Sequence, residues 1–425
     1  MQRTDLVSRR HYLEEALRFR DTDLIKVVTG VRRCGKSTLL GMVRETIEAE
    51  GVPGRAFVSI NLESKKTPVH DEDEFYAYFR ERLSPEGRTY IFIDEPQHIE
   101  GWQNAVNAMR VDFDCDIYLT GSNAYLLSSE LSTYLSGRYV EIHMLPLSMS
   151  EYLDFCGLSF ASEKSVAIGP DDEPIHFDDI LLRYLRFGGM PAIASLSITQ
   201  AEHSAYMSSV YDAIAVRDII NRERRKGKSK VTDPALLRRI AEFLADNVSN
   251  LSSASSIANT LTSAGSKTTN KTTSSYIEAL CEAYLFYRVL RYDLHGKEIL
   301  KTNPKHYIVD LGFRSYLAGY RVGDMGRLFE NAVYLQLLFD GWAVHVGKLY
   351  SKEVDFVAVK DGERRYIQVA DNLASDATRE REFSPLLSIR DAYPKMVVVR
   401  EGSYEDDVDG VKIVQAKDFF LHQEG

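Results

Sequence analysis

Over the first 150 residues, short apolar runs alternate with amphipathic stretches. The runs at 24–29, 55–62, 90–94, 117–120 and 139–144 read as strands. Between them, apolar residues recur with helical spacing, most clearly over 36–50 and 73–83. Strands alternating with helices predict an α/β domain with a parallel sheet, over 1–150. From residue 151 the period becomes helical, with a Gly188-Gly189-Met190-Pro191 turn and a long helix over 202–221. Residues 151–230 therefore read as a helical lid or connector.

Pro234 then opens an apolar-periodic helix (Leu236, Leu237, Ile240, Phe243, Leu244), at a position where proline suits a helix start. Helices over 255–261 and 275–290 follow, separated by the polar stretch 262–274, and then strand pieces at 291–294, 299–302 and 306–309. Three helices and a small hairpin are the ground plan of a winged helix, so 231–325 is expected to be winged-helix-like. Residues 267–272 would stand before or at the start of its third helix, where such domains touch DNA. The last block, 326–425, reads as a small α/β domain: a helix over 328–339, strands at 343–346, 354–359 and 366–370, a helix from 377 and a strand at 396–399.

A length of 425 residues suits several domains. With 44% hydrophobic and 27% charged residues, collagenous and disordered classes are excluded. Cys34, Cys115, Cys156 and Cys281 are far apart and form no CxxC pair, which argues against a disulfide scaffold or a zinc site and for a reducing compartment. No window holds the roughly 18 consecutive apolar residues of a membrane span, and the charged first residues lack a signal peptide, so a cytoplasmic protein is expected. The net charge of −10 hides one basic cluster, Arg217, Arg222, Arg224, Arg225, Lys226, Lys228 and Lys230. Such a run is either a solvated connector or a nucleic-acid contact.

Gly30-Val31-Arg32-Arg33-Cys34-Gly35-Lys36-Ser37 has the spacing G-x-x-x-x-G-K-[ST], directly after the first strand and before an apolar-periodic helix. Glycines let backbone N–H groups wrap phosphates, and the helix N-terminus adds positive potential. Gly30 through Ser37, with Thr38, are thus the expected contacts of ATP. Lys36 would reach its terminal phosphates, and the Ser37 hydroxyl would bind Mg²⁺. The strand 90–94 ends in Asp94 and Glu95, expected to hold Mg²⁺ and to act as base on the attacking water, respectively. Thr120, Ser122 and Asn123, after the next strand, compete as sensors of the γ-phosphate, with Asn123 the favoured contact. Arg138 would place a guanidinium on that phosphate, within one subunit or from a neighbour in a homo-oligomer. Cys34 would be thiolate-prone at the helix N-terminus or simply fill a variable loop position.

These motifs, together with Gly137-Arg138-Tyr139, Leu145-Pro146-Leu147-Ser148 and Glu353-Val354-Asp355-Phe356 in that order, resemble those of prokaryotic predicted AAA+ superfamily ATPases ending in a nuclease-like domain. The resemblance implies an ATPase core using ATP and Mg²⁺, a winged-helix middle and a C-terminal fold similar to restriction-endonuclease-like enzymes. A working nuclease of that kind sets a helix glutamate and a strand aspartate beside an acid and a lysine two residues apart. Glu330 and Asp355 fit the first two, but the third element reads Gln368-Val369-Ala370, without acid or lysine. Lys352 would either replace the lysine or be a plain surface residue. The expectation is an ATPase whose nucleotide state controls a winged helix and a degenerate nuclease-like domain, acting on DNA or a protein partner. An ATP-dependent nuclease and a slow nucleotide switch are the alternatives.

Overall fold

A computed structural model of the protein describes residues 7–64, 66–84, 87–124, 135–160, 166–169, 173–194, 199–225 and 230–422. The chain divides into two compact units, 1–145 with 282–284, and 146–281 with 285–425.

The first unit is built on a five-stranded parallel sheet. Its strands are β1 (Ile25–Thr29), β2 (Phe57–Asn61), β3 (Thr89–Asp94), β4 (Cys115–Gly121) and β5 (Tyr139–His143), in the order β2-β3-β4-β1-β5. The helices are α1 (Arg10–Arg18), α2 (Lys36–Ala49), α3 (Glu72–Arg80) and α4 (Trp102–Asp112). β1 and most of β3 and β4 are buried on both faces, which is why they appear as unbroken apolar runs rather than alternations. Phe75 and Phe79 of α3 and Trp102, Val106 and Met109 of α4 pack with Ile91, Ile93, Ile117 and Leu119 of the sheet. Each such side chain contributes about 1.5–3 kcal/mol by leaving water. The parallel order brings the C-terminal ends of β1, β3 and β4 to one edge, the customary binding edge of such sheets.

The second unit contains helices α5 (Met149–Phe155), α6 (Phe177–Phe187), α7 (Gln200–Ala213), α8 (Pro234–Asp246), α9 (Ala254–Ser263), α10 (Asn270–Glu282), α11 (Leu311–Ala318), α12 (Met325–Phe339), α13 (Asp376–Leu387) and α14 (Ala416–Leu421). The final residue of α10 groups with the first unit. A three-stranded antiparallel sheet of β6 (Ser159–Phe160), β7 (Val166–Ile168) and β8 (Pro174–His176) interrupts the stretch expected to be purely helical. α7 runs on into a π-helical segment, Ile214–Ile220.

Two expectations are corrected here. The helix over 275–290 ends at Glu282, because Tyr284 takes a positive φ of 55° and residues 286–293 form a strand. That strand, β9 (Phe286–Asp293), pairs antiparallel with β10 (Glu298–Ile308), and this pairing overrides local helical periodicity. The hairpin is also not a free wing. β9 pairs parallel with β11 (Ala343–Leu349), making the hairpin one edge of an eight-stranded sheet. The sheet continues through β12 (Lys352–Lys360), β13 (Glu363–Ala370), β14 (Lys395–Val399) and β16 (Val411–Gln415) to β15 (Asp407–Val408). The expected boundary at 325/326 therefore runs through a single sheet.

Candidate functional site

The phosphate loop lies between β1 and α2. Gly30 has φ of +138°, and a Cβ there would stand 2.1 Å from the Met144 carbonyl oxygen. Gly35, at the N-cap of α2, has φ of +108°. Arg33, also at positive φ, is exposed beside the loop. This backbone leaves a cradle that side chains would fill.

Lys36 is buried, and its ammonium donates to the Gly30 and Val31 carbonyls at 2.9 and 3.0 Å. The Ser37 hydroxyl donates to both oxygens of Asp94, at 3.0 and 2.9 Å. Asn61, opposite Asp94 in the β2–β3 register, donates to the same carboxylate at 2.9 Å, and the Thr120 hydroxyl donates to it as well. Thr38 is exposed one position along α2.

Glu95 is buried in a left-handed conformation, φ 58° and ψ 56°. That backbone is costly for a glutamate, and such outliers concentrate at functional sites. Its N–H donates to the Thr120 hydroxyl at 3.1 Å, and its carboxylate accepts from Gln97 and, at 3.3 Å, from the Ser122 hydroxyl. Asn123 follows, also buried. Lys36, Ser37, Asp94, Glu95 and Asn123 therefore all lie at the C-terminal ends of β1, β3 and β4. Of the three rival sensors, Thr120 is bound to Asp94 and Ser122 to Glu95.

Arg138 stands elsewhere. β5 pairs with β1 from Ile25↔Tyr139 to Thr29↔His143, so Arg138 lies at the N-terminal edge of the sheet, whereas the loop follows Thr29 at the other edge. Four residues at about 3.3 Å each separate the two edges. Its guanidinium instead donates to Asn107 of α4 at 2.8 Å, so within its own chain it is not on the phosphates. Cys34 is fully buried, an environment in which a thiol is inert. Arg32 pairs with Glu63 at 2.9 Å.

Sequence reasoning missed several residues around the loop. Arg9 is buried and donates to the Cys34 and Leu145 carbonyls at 3.0 and 2.8 Å, bracing the loop from outside. The Thr29 hydroxyl contacts Glu141 and, at 3.0 Å, His143, while the Tyr284 hydroxyl donates to Glu141 at 3.3 Å. Burial, with help from Lys36, pulls the His143 imidazole down to about 4. No local motif marks these residues, because their partners are far away in the chain.

A second cluster lies in the other unit. Glu330, Asp355 and Gln368 converge as expected, on a cavity of about 770 Å³. The Gln368 amide accepts from the Asp355 N–H at 2.6 Å and donates to Glu382 at 2.8 Å. Lys352 is held by the Ser384 and Ser388 hydroxyls of the α13 region at 2.6 and 2.9 Å, so it does not serve the carboxylates. A lysine arrives from an unexpected strand instead. Lys305 of β10, 3% exposed, lies 3.0 Å from Glu330, 2.8 Å from Glu353 and 3.6 Å from Asp355. Burial still pushes Glu330 up to about 7 and raises Asp355. Among the described residues, no cluster of His, Cys, Asp and Glu forms a metal cage.

In the basic cluster, Arg222 is buried beside Glu223, which removes it from any surface patch, while residues 226–229 lie outside the described residues. Lys267, Asn270 and Lys271 are exposed at the start of α10.

Residues 22–153 match the family described as AAA domain, and residues 178–323 match a domain of unknown function (DUF8612). With the glycine cradle and the lysine, serine and aspartate around it, the first unit is a AAA-type P-loop ATPase domain. A Haemophilus influenzae protein described as uncharacterized is 38% identical over 418 residues, covering 98% of this chain and 99% of its own. This chain belongs to that protein's family. An uncharacterized protein of Methanocaldococcus jannaschii is 27% identical over 84% of this chain and 77% of its own. Among solved structures, a Walker-type ATPase of Pyrococcus abyssi is similar at TM-score 0.48 and 16% identity, over 74% of this chain and 97% of that one. Among the described residues, no helix is long and apolar enough to cross a membrane.

Proposed function

We propose that the protein binds ATP with Mg²⁺ in the β1–α2 cradle and hydrolyses it. One observation carries this: Ser37, Asp94 and Thr120 form a single hydrogen-bonded group beside the buried, strained Glu95. The residues suit both groups. The loop N–H groups and Lys36 offer positive potential to phosphates, and the Ser37 hydroxyl with Asp94 offers oxygen donors to a hard cation. Mg²⁺, when bound, neutralises charge on the phosphates. Lys36 leaves the loop carbonyls to meet the terminal phosphates. Glu95, oriented by Gln97 and Ser122, takes the proton of the attacking water. Asn123, at the end of β4, reports the γ-phosphate. Arg138, on the far edge of its own sheet, serves the phosphates of a neighbouring copy in a homo-oligomer.

In this reading the nucleotide state controls the second unit, acting on DNA or a protein partner. The exposed Lys267, Asn270 and Lys271 at the start of α10 favour DNA. The nuclease-like cluster is read as degenerate, because Gln368 stands where an acid would be needed and the carboxylates are already paired with the single ammonium of Lys305. The test is ATP turnover by wild type and Glu95→Gln, with and without DNA. Turnover lost in the variant while ATP binding is kept supports the reading; an unchanged rate removes Glu95 from the mechanism. DNA-indifferent, slow turnover in the wild type favours a switch for a protein partner.

A further inference from the structure

The second unit holds a cleft of about 980 Å³ that neither the ATPase site nor the acidic cluster uses. It lies between the turns near residues 295–297 and 350–352, the sheet residues Tyr292, Arg364 and Tyr366, and the segment after α13. Its lining carries four cations, Lys297, Lys352, Arg364 and Arg390, and a single acid, Asp391. The chain as a whole carries a net charge of −10, so a cleft lined by four cations and one acid has the opposite sign to the chain's average. Asp391 is occupied, accepting from the Tyr366 hydroxyl at 2.6 Å.

Aromatic rings alternate with these cations. Arg364 lies between Tyr292 and Tyr393, 5.0 and 5.3 Å from the ring centres. Tyr350 packs against His295 with centroids 5.1 Å apart and a 3.2 Å hydrogen bond, yet remains 69% exposed. It also has a φ of 54°, a conformation bulky residues rarely adopt. A large aromatic held at an unfavourable backbone angle with its ring in solvent gains nothing from burial.

Cations that meet phosphates, beside an open ring such as Tyr350 that meets a base face, are what a single strand of nucleic acid requires. A duplex offers the phosphates but keeps its base faces stacked. We infer that this cleft binds single-stranded nucleic acid, with Lys297 and Arg390 on the backbone and Tyr350 stacked on a base. The inference rests on the DNA branch of the proposed function and adds to it a second surface, separate from the start of α10, with its strand state.

The test uses the full chain and fluorescence anisotropy with a labelled oligothymidylate of about 16 nucleotides, within the usual range of such sites. A duplex of equal length and an acidic polyglutamate peptide are the comparison probes. Tyr350→Ala should weaken single-strand binding about 10-fold with little change in salt dependence. Lys297→Ala combined with Arg390→Ala should reduce the slope of log affinity against log salt by about 1.4, from about 0.7 per phosphate contact. All three residues are exposed, so melting temperatures should match wild type. Absence of single-strand binding, indifference to all three substitutions, or duplex or peptide binding with the same dependence on Tyr350 overturns the inference. ATP turnover measured on the same preparations separates the two readings. Lost strand binding with normal turnover rejects only the cleft, and absent turnover with normal strand binding rejects only the ATPase.

Discussion

Replacing Lys305 by Met tests the account of the acidic cluster. Methionine keeps a stem of similar length and apolar character, so packing is largely retained and the loss reports the charge. In the wild type the ammonium lies 3.0, 2.8 and 3.6 Å from carboxylate oxygens of Glu330, Glu353 and Asp355. The Tyr307 hydroxyl also donates to Glu330 at 2.7 Å, but a neutral donor cannot balance three acids. Removing one partner of a buried ion pair typically costs about 3–5 kcal/mol, because the other charge is left uncompensated. For a unit of this size that lowers the melting temperature by roughly 10 °C. Urea unfolding followed by circular dichroism measures the loss. Glu353→Gln in the Lys305→Met background should restore part of it, since Glu353 is the most exposed of the three acids and can lose its charge at least cost. A coupling of about 1–3 kcal/mol in the double-mutant cycle is expected. A loss under about 1 kcal/mol, or a cycle without coupling, would refute the claim that Lys305 is the cation holding this cluster together.

Other consequences are as direct. His143, held down to about 4 by burial, stays neutral in the fold while the unfolded chain takes up a proton near 6.5. Its stabilising contribution is therefore present above pH 6.5 and is lost as pH falls towards 4, by up to about 3 kcal/mol. In a Trp342→Phe background, where Trp102 is the remaining tryptophan, His143→Gln should flatten that acid limb in tryptophan fluorescence, and an unchanged pH profile would contradict it. Arg9→Ala removes two charge-assisted bonds to the loop region and should weaken ATP binding while lowering stability by about 1.5–3 kcal/mol, read by calorimetry. Arg138→Ala and Lys36→Ala should each be inactive alone and recover turnover when mixed, because a mixed assembly contains one intact site; no recovery rules out action between subunits. Asp310 caps α11 and accepts from the Gly189 N–H at 2.6 Å, so Asp310→Ala should cost about 2–4 kcal/mol in urea unfolding by losing the cap and orphaning that donor.

The Gly188–Pro191 turn shows why part of the molecule was hidden in the sequence. It reads there as a loop signal, but its structural role comes from Asp310, a residue 121 positions from Gly189. The Leu-Pro-Leu-Ser motif behaves similarly: the Leu147 N–H donates to the Gly189 carbonyl at 2.8 Å, and Ser148 forms a capping box with Glu151. The capping box follows the local Ser-x-x-Glu spacing, but the bond to Gly189 joins residues 42 apart and cannot be read from spacing. The hairpin 286–308 is legible as strands, but only its pairing with β11 makes it the edge of a larger sheet.

The phosphate loop, the acidic strand end and the alternation of the first unit were legible because each depends on neighbours within a few residues. Glycines permit local turns, a strand exposes its last side chains, and a helix begins where its N-terminus is needed. Tertiary structure alone placed Arg9 on the loop, sent Arg138 to the opposite edge of the sheet and delivered Lys305 to Glu330, Glu353 and Asp355. Those outcomes follow from strand order, register and the docking of the first helix, which join residues far apart in the chain, and charge and hydrogen bonding act only across the distances that the finished fold creates.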